Sequence, residues 1–151
     1  MTTVTATELH ASLTHGLSIS CQPVDLKSKG YDLQATVPAN QLIPAVEMLD
    51  RYGFAIDTIT GVDWIATAEM EVVYDFFHPA TALHVVIRTR VARSNPEVST
   101  ISGIFSGANW HERETYEFFG IHFLGHPNLT PLLLPEDATY HPLRKDFAGV
   151  N

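Results

Sequence analysis

Four prolines within sixteen residues, Pro127, Pro131, Pro135 and Pro142, constrain this chain more than any other feature. Each lacks an N–H and fixes its own φ, so the stretch can be neither a continuous helix nor a central strand. Yet residues 120–151 also hold Ile121, Phe123, Leu129, Leu132, Leu133, Leu134 and Phe147. Flexible tails are poor in such side chains. An apolar segment barred from regular structure must lie extended against a surface, either its own domain's or a partner's.

The rest reads as one domain. A chain of 151 residues is long enough to bury about two thirds of its unfolded surface. With 45% apolar residues it is too hydrophobic to remain disordered. The net charge of −8 argues against nucleic acid, because no basic cluster exists to displace counterions from phosphates. The single cysteine, Cys21, excludes an internal disulfide, a thiolate zinc finger and a self-contained cysteine-ligated iron–sulfur cluster. No apolar run is long enough to span a bilayer, and residues 1–7 lack the basic and apolar regions of a secretory signal. The expectation is a soluble cytoplasmic protein. Residues 1–75 carry three basic and ten acidic side chains, whereas residues 76–151 carry six and seven, with six of the eight histidines. The less charged half is the better contact surface.

Local patterns give the order α-β-β-α-β-β-β. Thr5-Ala-Thr-Glu8 is a capping box that opens a helix from about Ala6 to His15, with Val4 and Leu9 as its staple. Residues 17–24 and 31–37 alternate as strands around a polar loop that ends at Gly30. Asn40 opens a second helix that stops at Gly53, with Pro44 in its first turn. Residues 54–62, 69–77 and 83–91 are β-rich in composition. Asn95-Pro96 is read as the cap of a short helix reaching Phe105, and Asn109 as the cap of another that ends before Gly120. The fold class is therefore α+β: a two-layer sandwich in which a mixed sheet of about five strands carries helices on one face. Residues 1–119 form the domain, and residues 120–151 the extended, partner-binding segment.

Chemistry-bearing patterns are sparse. His111-Glu112-Arg113-Glu114-Thr115 begins like a zincin helix, but Thr115 stands where the second histidine belongs. His111, His122 and His126 with Glu114 make a conceivable metal site, hence a small metal-dependent enzyme as the reading from a different class. Neither a nucleophile elbow nor a phosphate-binding glycine loop occurs. Cys21 falls in a strand, as a buried hydrophobe. On the helix after Asn109, Arg113 and Glu117 are an i,i+4 pair on a solvated face. Glu112 is either the capping carboxylate or a buried partner for Arg144 or Lys145. Near the end, Arg144 offers a rigid fork between the apolar Leu143 and Phe147. Its acceptor is Glu112 or Glu114 in this chain, or an acid on a partner.

Glu112-Arg113-Glu114-x-Tyr116-Glu-x-Phe-Gly120-Ile-x-Phe123-x-Gly125-His126-Pro127-x-Leu129, followed by Pro142-Leu143-Arg144-Lys145-Asp146-Phe147, resembles the signature of the thirty-kilodalton subunit family of respiratory complex I. That family includes the C subunits of NADH–quinone oxidoreductases and related subunits of energy-converting membrane-bound hydrogenases. The resemblance implies an assembly subunit with no catalytic centre and no cofactor of its own. It implies a place in the hydrophilic arm, with the C-terminal segment along the large subunit that carries the quinone or nickel–iron site. It also implies other hydrophilic-arm subunits as neighbours and only indirect attachment to the cell membrane, at its peripheral face. Glu117 stands where the family usually has Asp. The 132–137 run is closer to the hydrogenase-type relatives, which keeps an energy-converting [NiFe] hydrogenase as the alternative host.

Overall fold

The computed structural model describes residues 3–150. Met1 and Thr2, which open the first expected unit and the region read for a signal, lie outside the described residues, as does Asn151, which closes the second unit. The chain begins with α1 (Ala6–Ala11), set by the expected capping box. The Thr5 hydroxyl accepts the Glu8 N–H at 3.2 Å, and the Glu8 carboxylate accepts the Thr5 N–H at 2.9 Å. The helix continues to Gly16 as a wider π-turn and buries Leu9 and Leu13 completely. Strands β1 (Ser20–Pro23) and β2 (Leu33–Thr36) then pair antiparallel. The loop between them winds into one short helix, α2 (Leu26–Lys29), with Asp25 at its start and Gly30 at φ 82° beyond its end.

Helix α3 (Leu42–Arg51) buries Leu42, Ala45, Val46 and Leu49. Asn40 does not cap it: a 3-10 turn over Ala39–Gln41 precedes the helix, and no side chain supplies the cap. Strands β3 (Ala55–Trp64), β4 (Glu69–Phe77) and β5 (His84–Ala92) complete one sheet in the order β1-β2-β5-β4-β3. Only β2 and β5 run parallel, so the sheet is mixed as expected. Met70, Val72, Tyr74 and Phe76 of β4, with Val85 and Ile87 of β5, face the helices. The opposite face carries a charged ladder in which Glu71 accepts from both Arg88 and Arg90 at 3.0 Å. That division by side-chain period is what makes the molecule two-layered.

The region after Asn95 differs from expectation. Residues 97–99 form β6 (Glu97–Ser99), not a helix, and β6 pairs parallel with β7 (His122–Leu124). The pairing sets Val98 against Phe123, both 1% exposed, so burial outweighs the capping signal of Asn95-Pro96. One helical turn of the expected helix survives, closed by the Phe105 N–H on the Ile101 carbonyl. Helix α4 (Ala108–Phe119) begins one residue before Asn109, and no side chain caps it. It crosses β3 at Gly61, where a Cβ would lie 2.5 Å from the Phe119 ring. Only glycine allows that approach.

Candidate partner-binding site

Among the described residues beyond Leu124 the chain has no regular element, yet its backbone is held at three places by polar groups of the domain. We call this segment the strap. The first clasp comes from α4. The Arg113 guanidinium donates to the carbonyls of Thr130 and Pro131, both at 2.9 Å. One turn further, the buried Glu117 carboxylate accepts the N–H groups of Leu132, Leu133 and Leu134 at 2.8–3.1 Å. These N–H groups follow a proline and have no strand partner, so a carboxylate aimed at three of them replaces a missing ladder.

The second clasp is the end of α4 itself. A helix leaves its last carbonyls without internal partners. Here the His141 ring Nδ1 donates to Glu117 O at 2.9 Å, the Leu143 N–H to Phe118 O at 3.1 Å, and Arg144 Nε to Phe119 O at 2.7 Å. The Arg144 cation also lies at the negative end of the helix dipole. Gly120 turns the chain away at φ 75°, and a Cβ there would meet Arg144 and His141 at 2.7–2.8 Å. The strap is therefore the C-terminal cap of α4.

The third clasp centres on Asp63, an acid on the buried parity of β3. Its carboxylate accepts both arms of Arg93, at 2.7 and 3.0 Å, and the Lys145 N–H at 2.8 Å. Arg93 also donates to Asp146 at 2.8 Å. The hydrogen bonds from Arg93 hold the Asp63 carboxyl below its ordinary range, with smaller help from Lys145 N–H and the nearby Arg144 charge. Tyr140 stacks on Phe147, ring centroids 5.8 Å apart, just beside this knot.

Glu112 takes neither expected role. It is fully buried, and it accepts the Ile101 N–H at 2.7 Å and the Thr100 hydroxyl, pinning the turn after β6 to α4. Burial pushes its carboxyl up to about 7, against the pull of those two bonds. His126 Nε2 lies 3.8 Å from it and donates to Asn109 O at 3.2 Å, while Nδ1 accepts the Asn128 N–H at 3.0 Å. Those two bonds together put the ring proton on Nε2.

Other expected contacts also fall differently. Arg113 and Glu117 do not pair; each is drawn to the strap, and Glu117 is 3% exposed where a solvated face was expected. Arg144 reaches neither Glu112 nor Glu114, because the helix carbonyl lies closer to its fork. His111 borders a groove beside β3, His122 meets the edge of Tyr116, and His126 sits at the start of α4. Among the described residues no three His, Cys, Asp or Glu side chains converge as a metal site requires. Phe123 and Leu129 join the core or pack against it, whereas Glu114, Gly125, Pro127 and Lys145 are exposed and Pro142 is half-buried. Burial holds the Cys21 thiol up at about 11, as suits a hydrophobe. Asp63 and Arg93 were missed; the legible signal was an acid at the inward position of a strand whose Ile59 and Gly61 face the core.

The outward side of the strap is apolar. Leu133 is 67% exposed and Leu143 52%, and the neighbouring Trp110 is 59% exposed beneath the Arg113 guanidinium. The backbone N–H groups of Leu132–Leu134 and Leu143–Lys145 are bonded within the chain while large apolar side chains point to solvent. That arrangement suits contact with another protein surface.

Residues 35–151, which include the whole strap, match the family model described as Respiratory-chain NADH dehydrogenase, 30 Kd subunit. The chain is similar to the C subunit of the F(420)H(2) dehydrogenase of Methanosarcina mazei, 41% identical over 96 residues that cover 61% of this chain and 59% of that one. It is 36% identical over 104 residues to the C/D subunit of the NADH-quinone oxidoreductase of Pectobacterium carotovorum, covering 69% of this chain and 17% of that one. The matched stretch is thus less than two thirds of either relative. In three dimensions it resembles a chain of the membrane-bound sulfane sulfur reductase, an archaeal respiratory membrane complex, with TM-score 0.78 and 24% identity. That match covers 89% of this chain and 80% of the other, and it speaks to the fold alone.

Proposed function

Because the chain belongs to the 30 Kd subunit family of respiratory-chain NADH dehydrogenase, we propose that it is a non-catalytic assembly subunit of a complex I-like oxidoreductase, and that its strap packs against the large quinone-site-type subunit. Members of this family belong to NADH–quinone oxidoreductases and related respiratory membrane complexes. The observation that carries the proposal is the strap: polar clasps fix its backbone, and Leu133, Leu143 and the adjacent Trp110 are left outside. A fixed backbone lowers the ordering cost of binding, and exposed apolar anchors gain most from a partner.

Two features of the relatives support the choice of partner and role. In the Pectobacterium protein, as its C/D name states, a homologous stretch shares one polypeptide with a second, D-type part, which keeps the two at high effective concentration. The named relatives also serve dehydrogenases of both F(420)H(2) and NADH. What such complexes share is assembly rather than donor-specific chemistry, and in this reading the chain holds no redox centre. No helix among the described residues is long and apolar enough to cross a membrane; in this reading the other subunits carry the chain to the membrane. An energy-converting hydrogenase is the second host to test. The experiment is affinity purification of the tagged chain from solubilised membranes. Recovery of a large subunit with its redox partners supports the proposal; recovery of the chain alone from cells that make the complex opposes it.

A further inference from the structure

Strand β3 is the end of the sheet, and among the described residues its outer edge has no backbone partner between residues 57 and 61. Open edges invite strand pairing, so their protection is informative. The register slips between Ile56 and Thr58, which leaves the exposed Asp57 as a bulge. A bulge and a carboxylate deter pairing with a second copy of the same acidic chain. Beyond the bulge, residues 58–61 form one wall of a groove of about 230 Å³ whose other wall is α4. His111, Glu114, Phe118 and the exposed Leu143 line it, and no Lys or Arg does. Arg144, beside Leu143, is engaged by the Phe119 carbonyl.

We propose that this groove takes an extended, Lys- or Arg-bearing segment of a neighbouring subunit as a sixth strand on β3. A strand edge facing a helix provides what such recognition needs: main-chain groups for the ladder and a side-chain pocket between strand and helix. Phe118 and Leu143 supply the apolar part of that pocket, while Glu114 selects a cation over an acid. The inference rests on the chain being a subunit of a complex.

Amide exchange of residues 58–61 is measured in the free chain and in the complex purified from membranes. In parallel, Thr60→benzoylphenylalanine is photo-crosslinked within the complex and the captured peptide is sequenced. Exchange at least tenfold slower in the complex, with a crosslinked peptide that contains Lys or Arg, is the expected result. Glu114→Lys, at an exposed position, should cut the crosslink yield several-fold. Unchanged exchange, capture of a second copy or of a segment without a cation, or an unaltered yield in Glu114→Lys overturns the inference and leaves the subunit reading standing. Failure of the chain to co-purify with any subunit defeats that reading, and the inference falls with it.

Discussion

Replacing Glu117 with Ala removes the acceptor for three consecutive strap amides while touching little of the hydrophobic core. The carboxylate makes four contacts of 2.8–3.1 Å to the N–H groups of Leu132, Leu133 and Leu134. Hydrogen bonds to charged groups contribute roughly 1.5–3 kcal/mol each when deletion strands a buried partner. Leu133 is exposed and its neighbours only half-buried, so water replaces much of what is lost. A total of about 2–4 kcal/mol therefore falls on local opening of the strap, not on the whole domain. At one decade per 1.4 kcal/mol, exchange of these three amides should accelerate by about 30- to 1,000-fold, while β4 and β5 amides change by less than about fivefold. Hydrogen exchange read by NMR resolves both groups of amides. If residues 132–134 keep their protection, the clasp carries no stability; if all amides accelerate equally, the strap is part of the global folding unit, and the claim of a separately held segment fails.

Other perturbations test other parts. The folded pKa of Asp63 is depressed, so its contribution is complete above the ordinary carboxylate value of 3.8 and is lost as pH falls through the lower folded value. Acid titration of the wild type below about pH 4 should release residues 145–146, seen as loss of the Lys145 amide shift, and Asp63→Asn should remove that transition. Glu112 works in the opposite sense: its folded value of about 7 lies above the ordinary 4.5, so its contribution is present below 4.5 and declines as pH rises to 7. Urea unfolding should show this decline, on the order of 2–3 kcal/mol, and Glu112→Gln should flatten it. Gly61→Ala forces a Cβ to 2.5–2.9 Å from the Phe119 ring and should cost about 1–3 kcal/mol in thermal unfolding.

The body of the fold was legible because its signals are local. β-rich composition between polar loops located β4 and β5 to within a residue, and the Thr5–Glu8 box located the first helix. Where two signals competed, burial decided: Asn95-Pro96 reads as a cap, but Val98 gains more from packing against Phe123 in a strand pair. The strap was foreseen from proline spacing, which states only what a segment cannot be. Its fastening was not foreseen, because Asp63 and Lys145 are 82 positions apart and no period connects them. Arg113 and Glu117 show the limit from the other side. Their i,i+4 spacing suggests a pair on an isolated helix, and only the presence of the strap turns both toward its backbone.

The central claim, that the strap is held in order to present apolar side chains to a partner, is tested most directly by the double variant Leu133→Lys and Leu143→Lys. Both side chains are more than half exposed, so the isolated domain should keep its unfolding free energy to within about 1 kcal/mol. The measurement is incorporation of this variant into the membrane complex, quantified by native gel against wild type expressed at the same level. The account predicts at least a tenfold loss of incorporation with an unchanged circular dichroism spectrum and melting curve. Wild-type incorporation of the folded double variant would contradict it.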